Sequence, residues 1–427
     1  MKKSNQTLLF GLPVRVILGF IAILLFMSGD GIEQAFLSKY IVHLGFSVEQ
    51  SSWVFTIYGI TLTIASWLAG ILTDLWGAKK TMLLGLITWV IFEVVFLYVG
   101  LELHSYAWMW IFYGLRGFGY PLFAFSFIVW VAYITDQKKL GTAIGWFFFM
   151  FAGGIGFIGA YYPSLFLDKL GEMTTLWSSL AWIIVGGIMG VLAVNDRDRK
   201  GNLIYANGKN QKFKEFSKGI TVLWENPRIA LGGFIRTINT SAWYGFVVIM
   251  PLYYTNTLHF STSQWLQIWA VQSISNMVFN VIWGYLGDKI GWIPVIRWFG
   301  GIGSAIACLL YFYGPILFGQ NYVTAILIGI FFGATIAAFV PLSALMAVES
   351  PRDKGAAMAI LNLGAGFSSF IGPALITILY PFIGIEGLVW VFASLYILAF
   401  ILSPLLRRKK VKLTSVSTLR NEKVGLK

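Results

Sequence analysis

Charge is what this chain has least of. Only 11% of its 427 residues are Asp, Glu, Lys or Arg, while 58% are apolar. A water-soluble chain of that length needs far more polar surface, so composition excludes a soluble enzyme or binding domain. The single cysteine, Cys308, excludes an internal disulfide. The three histidines, His43, His104 and His259, have no metal-ligand spacing. No phosphate-binding glycine loop and no nucleophile–base constellation can be read. "GLRGFGYPLF" is rich in glycine, but it lies inside an apolar run, where glycine serves helix contact. No cofactor, metal or enzymatic reaction is expected.

What is present is apolar sequence in long blocks. A helix needs about 20 apolar residues to cross a bilayer, and only internally bonded backbone survives there. Twelve such blocks fall between residues 15 and 405, which predicts an all-α membrane protein with twelve transmembrane helices. The start, "MKKSNQTLLFGLPVRVILGF", mimics a secretory signal but lacks a convincing small-residue cleavage site, so it reads as a retained first helix. All but four of the 31 basic residues lie at the start, in alternate loops or in the tail. Of the exceptions, Lys39 and Lys169 fall on the opposite side, and Arg116 and Arg236 lie within spans. The positive-inside rule then places both termini in the cytoplasm of a multi-pass plasma-membrane protein. It also accounts for the net charge of +13. The bases are spread over every such loop, which argues for a lipid bilayer and against nucleic acid as the partner.

A polar, basic stretch at 195–227 divides the chain into halves, 1–194 and 228–405, followed by a basic tail at 406–427. One gapless offset of 214 residues relates the halves. Pro13 meets Pro227; Leu44, Phe46 and Gln50 meet Leu258, Phe260 and Gln264; "GILTDLWG" from Gly70 meets "GYLGDKIG" from Gly284; Gly141 meets Gly355. Two parallel six-helix repeats imply pseudo-twofold symmetry and a site between the bundles near the midplane. That architecture predicts alternating access, with a monomer sufficient for function.

"GILTDLWGAKK" resembles the loop signature between the second and third spans of the major facilitator superfamily, with Gly70, Asp74, Gly77, Lys79 and Lys80 filling its positions. The second copy keeps Gly284, Asp288 and Gly291 and, less regularly, Arg297. The resemblance covers all but the tail and implies a cytoplasmic gate to which Asp74 and Asp288 belong; Asp74 sits where it can accept from helix N-terminal amides of the opposite half and from nearby bases. A solvated turn with topogenic lysines is the plainer alternative. "GDGIEQAF" and "RGFGYPLFAFSFIVW" resemble bacterial polyol permeases, which implies import of ribitol or D-arabinitol with protons. The fifth span lacks the Gly-Pro of drug-exporting relatives, which favours uptake.

Ionisable groups at membrane depth cost at least about 2.5–3.5 kcal/mol each and mark functional sites by default. Asp30 and Glu33, three apart on the first span, share a face with Gln34 beside them. They are the candidates for proton coupling and solute binding, and Arg116 is their modulator. The alternative is a structural ion pair tying the first span to the fourth. In the second half, Asn239, the four-residue stripe Gln272, Asn276 and Asn280, and Asn362 offer neutral amides that suit a neutral polyol. Helix-to-helix hydrogen bonding is the alternative for each. Trp130, Tyr133, Trp146, Trp243 and Tyr244 sit on spans that, by the resemblance, line the family's cavity, where a sugar alcohol's C–H faces could pack on their rings; helix packing is the alternative for each. Glu93, in a third span that is often peripheral in the family, stays open between coupling and a lipid-adjacent or inter-helix role. The rival functions are organic-anion or sugar-phosphate exchange, using Arg116 and Arg236 as an anion clamp, and a transporter-like nutrient receptor.

Overall fold

The computed structural model describes residues 8–9, 12–46, 48–196, 221–260, 262–350 and 354–407. Most of the central loop and nearly all of the tail therefore lie outside the described residues, as does the side chain of Gln34.

The described chain is helical almost throughout. α1 is Val14–His43 and α2 is Val48–Trp76. α3 begins at Ala78 and widens into π turns that end at Glu102. α4 runs from Tyr106 to Ile134 and α5 from Leu140 to Leu170. α6 is Glu172–Ala193, α7 is Pro227–Leu252 and α8 is Thr262–Ile290. α9 runs from Trp292 to Leu317 and α10 from Tyr322 to Glu349. Lys354–Leu402 is two helices, α11 and α12, joined at Gly384, whose φ of 62° and ψ of −168° are not helical. One strand pairing occurs among the described residues, Leu8–Leu9 against Leu12–Pro13, ahead of α1.

Among the described residues, ten helical runs are long and apolar enough to cross a membrane, against twelve expected. α7 and α8 have the length but fall short in apolarity, because α7 carries Arg236 and Asn239 and α8 carries Gln272, Asn276 and Asn280. Outward faces are apolar, with Leu192, Phe370 and Phe382 among the most exposed side chains, as a lipid-facing surface requires.

α4 is interrupted near its middle. Pro121 has no N–H and its ring crowds the carbonyl one turn back, so regular helix stops at Arg116 and resumes at Ser126. The Gly114 carbonyl is capped from outside by the Thr61 hydroxyl of α2 at 2.5 Å. α10 breaks in the same manner ahead of Pro341.

Within the first half α1 packs on α6 and α2 on α4; within the second, α7 packs on the α11–α12 pair and α8 on α10. The halves meet chiefly along α2 with α11 and α5 with α8. Both seams use the same device. Gly70 of α2 abuts Gly355 of α11, and Gly284 of α8 abuts Gly141 of α5. The 214-residue offset converts one pair into the other, so these are two copies of a single contact. A Cβ at any of the four would strike a facing backbone carbonyl.

Each seam ends in an aspartate. Asp74 accepts from the Ala356 amide at 3.2 Å, at the start of α11, and from the Tyr133 hydroxyl at 2.8 Å. Lys354 adds its amide to that hydroxyl at 3.1 Å and its Nζ to the Ala132 carbonyl at 2.6 Å. Asp288 accepts from the Gly141 and Thr142 amides at 2.9 and 2.7 Å, at the start of α5, and from the Thr142 hydroxyl. Carboxylates at helix N-termini satisfy orphan amides and the positive end of the helix dipole together. With both contacts made, the bundles are latched on the face that carries the two motif loops.

Gly284→Leu should wedge α8 off α5 and destabilise the protein by about 1–3 kcal/mol, the usual cost of overpacking. Gly59→Ala, where a Cβ meets nothing within 4 Å, should leave stability unchanged or slightly raised. Thermal unfolding of the purified protein in detergent reads both.

Candidate functional site

Asp30 enters the first bundle between two glycines. A Cβ on Gly29 would meet Ile183 and the Ser179 carbonyl of α6, and one on Gly31 would meet the backbone of Ile155 in α5. α1 therefore lies close against both helices, and its carboxylates point toward α3 and α4. Glu33 follows one turn on, Trp89 and Glu93 lie one turn apart on α3, and Tyr113 and Arg116 share a face of α4.

These residues converge on one guanidinium. Arg116 Nη1 donates to Glu33 Oε2 and, at 2.8 Å, to Glu93 Oε2; Nη2 donates to Asp30 Oδ1 at 3.3 Å. Trp89 Nε1 donates to the same Asp30 oxygen at 2.8 Å, and the Ser179 hydroxyl donates to Glu33 Oε1 at 3.4 Å. Asp30, Glu33, Glu93 and Arg116 are all 0% exposed. Three aromatic rings close around the cation: its Cζ lies 4.5 Å from the ring centre of Tyr113, 4.7 Å from Trp89 and 5.3 Å from Tyr58. Cation–π contacts are each worth about 0.5–2 kcal/mol when desolvated. They help hold Arg116 charged away from water.

The cluster does not balance. Three carboxylates face one guanidinium, which leaves an excess of two negative charges if all are ionised. Uncompensated buried charge costs several kcal/mol per ion. An excess of negative charge repels anions. Sequence spacing identifies Asp30, Glu33 and Arg116 as partners, and the structure joins them. Glu93, whose role the sequence leaves open, joins them as a third acid on the same guanidinium. The available signal was a lone acid in an otherwise apolar span.

The second half presents a different surface. Arg236 of α7 lies over the Phe148 ring of α5 at 5.7 Å, reaching across the boundary between bundles. Among the described residues no carboxylate pairs with it. With its amide oriented to satisfy its neighbours, Asn239 accepts from Arg236 and donates to the Ile336 carbonyl at 3.2 Å. Gln272 is buried and its carbonyl accepts from the Tyr311 hydroxyl. Asn276 donates to the Gly333 carbonyl at 3.1 Å and accepts from Asn280 at 3.2 Å. The amide stripe on α8 is thus engaged with α9 and α10. Gln272 Nε2 and Asn362 Nδ2 are buried donors with no acceptor among the described residues.

Other candidates lie elsewhere. Trp130 is buried against Phe127 and donates to the Asn195 carbonyl at 3.1 Å, tying α4 to the end of α6. Lys79 and Lys80 are exposed. The turn that carries them is held by Asp196, which accepts from the Ala78 amide at 2.9 Å; sequence reasoning did not single out that residue. Gly77 and Gly291 have φ of 91° and 101°, the same turn in both repeats. Arg297 lies over Phe400 at 4.5 Å and makes no described contact with Asp288, whose indole partner is Trp292 at 2.9 Å.

Comparison with known proteins bears on this arrangement. The profile of the Major Facilitator Superfamily matches residues 18–351 and 316–424. A D-arabinitol transporter of Klebsiella pneumoniae is 41% identical over 403 residues, which are 94% of this chain and 95% of that protein. A ribitol transporter of the same organism is 40% identical over 411 residues, 96% of each chain. An alpha-ketoglutarate permease of Bacillus subtilis (strain 168) is 41% identical over 394 residues, 92% of this chain and 89% of that one. Among solved structures, the E. coli fucose:proton symporter superposes with a TM-score of 0.76 at 10% identity, covering 93% of this chain and 99% of that one. The latched seams, the repeated motif, the family profile and the full-length relatives agree: this multi-pass membrane protein belongs to the Major Facilitator Superfamily.

Proposed function

We propose that the protein is a secondary active transporter that imports a small sugar alcohol, such as D-arabinitol or ribitol, by proton symport. In this reading twelve helices cross the plasma membrane as two bundles, 1–194 and 228–405, with the 195–227 loop, the 406–427 tail and both termini in the cytoplasm. Asp74 and Asp288 then latch the cytoplasmic face, and α1–α6 rock against α7–α12 when the latch opens.

The observation that carries the proposal is the charge imbalance around Arg116. A sealed cluster with carboxylates in excess suits a proton and disfavours an anion. Its protons belong to the cluster as a unit, because groups this close titrate together. Asp30, Glu33 and Arg116 are its coupling core. Hydroxyl recognition falls to the second half, where Gln272 of α8 and Asn362 of α11 keep unengaged amide donors, with Asn239 on α7 and Asn276 and Asn280 on α8. Amides both donate and accept, as a neutral polyol requires. Two relatives named for pentitol transport support the same solute class.

Proteoliposomes carrying an inward proton gradient should accumulate radiolabelled D-arabinitol or ribitol above the level reached without a gradient. Asp30→Asn removes one of the excess charges that hold the proton. It should retain exchange at equal concentrations and lose gradient-driven accumulation. Accumulation that ignores the gradient would remove proton symport from the account.

A second reading has its own observation. Arg236 is a guanidinium at the bundle interface with no carboxylate partner among the described residues, and one relative is named for alpha-ketoglutarate. A carboxylate-bearing solute would pair with Arg236, since Arg116 is already occupied by three acids. If so, 2-oxoglutarate competes with uptake, and Arg236→Gln raises its KM at least about tenfold, equivalent to ~1.4 kcal/mol. If the cargo is a polyol, 2-oxoglutarate does not compete and Arg236→Gln changes D-arabinitol uptake little.

A further inference from the structure

We propose that Glu93, on α3, is the carboxyl group on which the transported proton rests. The inference depends on the proton-coupling reading above and goes beyond the pair on α1 that spacing singles out.

The distribution of donors in the cluster carries it. Asp30 accepts from both Arg116 and Trp89. Glu33 accepts from Arg116 through one oxygen and from Ser179 through the other. Glu93 accepts from Arg116 alone, through Oε2; its Oε1 is buried and has no hydrogen-bond partner among the described residues. Hydrogen bonds donated to a carboxylate favour its charged form. The member with the fewest donors is the member that gains most from holding a proton. An ionised Oε1 in that position would be a bare buried charge, which is the costliest arrangement a polar group can adopt.

The surroundings fit a proton site. Around Arg116, to which Glu93 is bonded, lie Asp30 and Glu33 from α1, Tyr113 from α4 and Tyr58 from α2, with Tyr120 one turn beyond Arg116. The Tyr58 and Tyr113 hydroxyls are likewise buried without described partners. Neither donates to Glu93 Oε1, so the ionised carboxylate gains nothing from them. Protonation forms one O–H bond on Glu93, consumes no other reactant and releases part of the Arg116 Nη1 interaction to Glu33. Deprotonation returns Glu93 to the guanidinium. α3 is joined to α1 and α4 through this contact, so gaining or losing the proton changes how tightly three helices of the first bundle are held together.

Two measurements decide it. Infrared difference spectroscopy of the purified wild type in light and heavy water should show a protonated carboxyl, and Glu93→Gln should abolish that band. This arm needs no substrate, so it stands even if the solute class proves wrong. In proteoliposomes, D-arabinitol exchange by the wild type should fall as pH rises and the proton leaves. In Glu93→Gln, a permanently neutral mimic, exchange should continue, lose its pH dependence and no longer drive accumulation. If Glu93→Gln fails to fold, Glu93→Asp is read by the same infrared band, which should move as the carboxyl is drawn back from Arg116. A wild type without the band, a band unchanged in the Glu93 variants, or a pH dependence that persists in Glu93→Gln would overturn the proposal. A wild type that shows the band but transports no polyol would sink the substrate reading and leave Glu93 to be judged by the spectrum.

Discussion

One buried guanidinium organises the first half of this protein. Arg116 cannot be neutralised within a membrane at ordinary cost, so its neighbourhood must supply counter-charge. Asp30, Glu33 and Glu93 do so from two other helices, and the aromatic rings of Tyr58, Trp89 and Tyr113 exclude water around it. Removing any one acid leaves the cation paired, whereas removing the cation leaves the acids exposed to one another, a change that typically costs about 3–5 kcal/mol in buried sites. The asymmetry explains why the acids can differ in protonation while the arginine stays fixed. Buried ion pairs contribute little net stability by themselves. Here the excess of acid over base makes the cluster sensitive to protons.

Symmetry organises the contact between the halves. The contact of Gly70 with Gly355 and that of Gly284 with Gly141 are the same crossing made twice, and each is followed one turn later by an aspartate on the opposing helix N-terminus. Such paired latches have two discrete arrangements, made or broken, which is what alternating access needs from a bistable interface. The α2 strand of this device reaches the buried cluster directly, since Tyr58 lies four turns before Asp74 on the same helix. A change in how tightly α1, α3 and α4 are held therefore has a continuous helical route to the latch.

Much of this was legible in the sequence, for physical reasons. The fixed offset exposed the repeat because both copies must satisfy the same close crossing, where only glycine fits. Asp74 and Asp288 were readable because they fill the same position of one motif in both repeats. Asp30, Glu33 and Arg116 were readable because charge in hydrocarbon demands a partner. Glu93 was visible as a lone acid but its partner was not, because that is set by the rotation of α3 about its axis, which an all-round apolar helix does not declare. Trp130 was expected at a cavity but ties α4 to α6, and Arg297 turns toward Phe400 rather than the gate; long side chains have several reachable partners, and spacing does not choose among them. The Gln272, Asn276 and Asn280 stripe marked a polar face correctly in period, yet its carbonyls and amides meet Tyr311 and Gly333, since hydrogen bonds between helices use the same residue types as bonds to a solute. α7 and α8 look less like membrane helices for the same reason: the polar residues that serve the interface lower their apolarity.

The central claim is that solute entry and proton entry are one event. The most direct measurement is the external pH of a lightly buffered suspension of proteoliposomes, with no imposed gradient, on addition of D-arabinitol. The account predicts that the medium turns alkaline as the polyol enters, and that a protonophore abolishes the change while leaving entry intact. Entry of the polyol with no accompanying change in pH would contradict it.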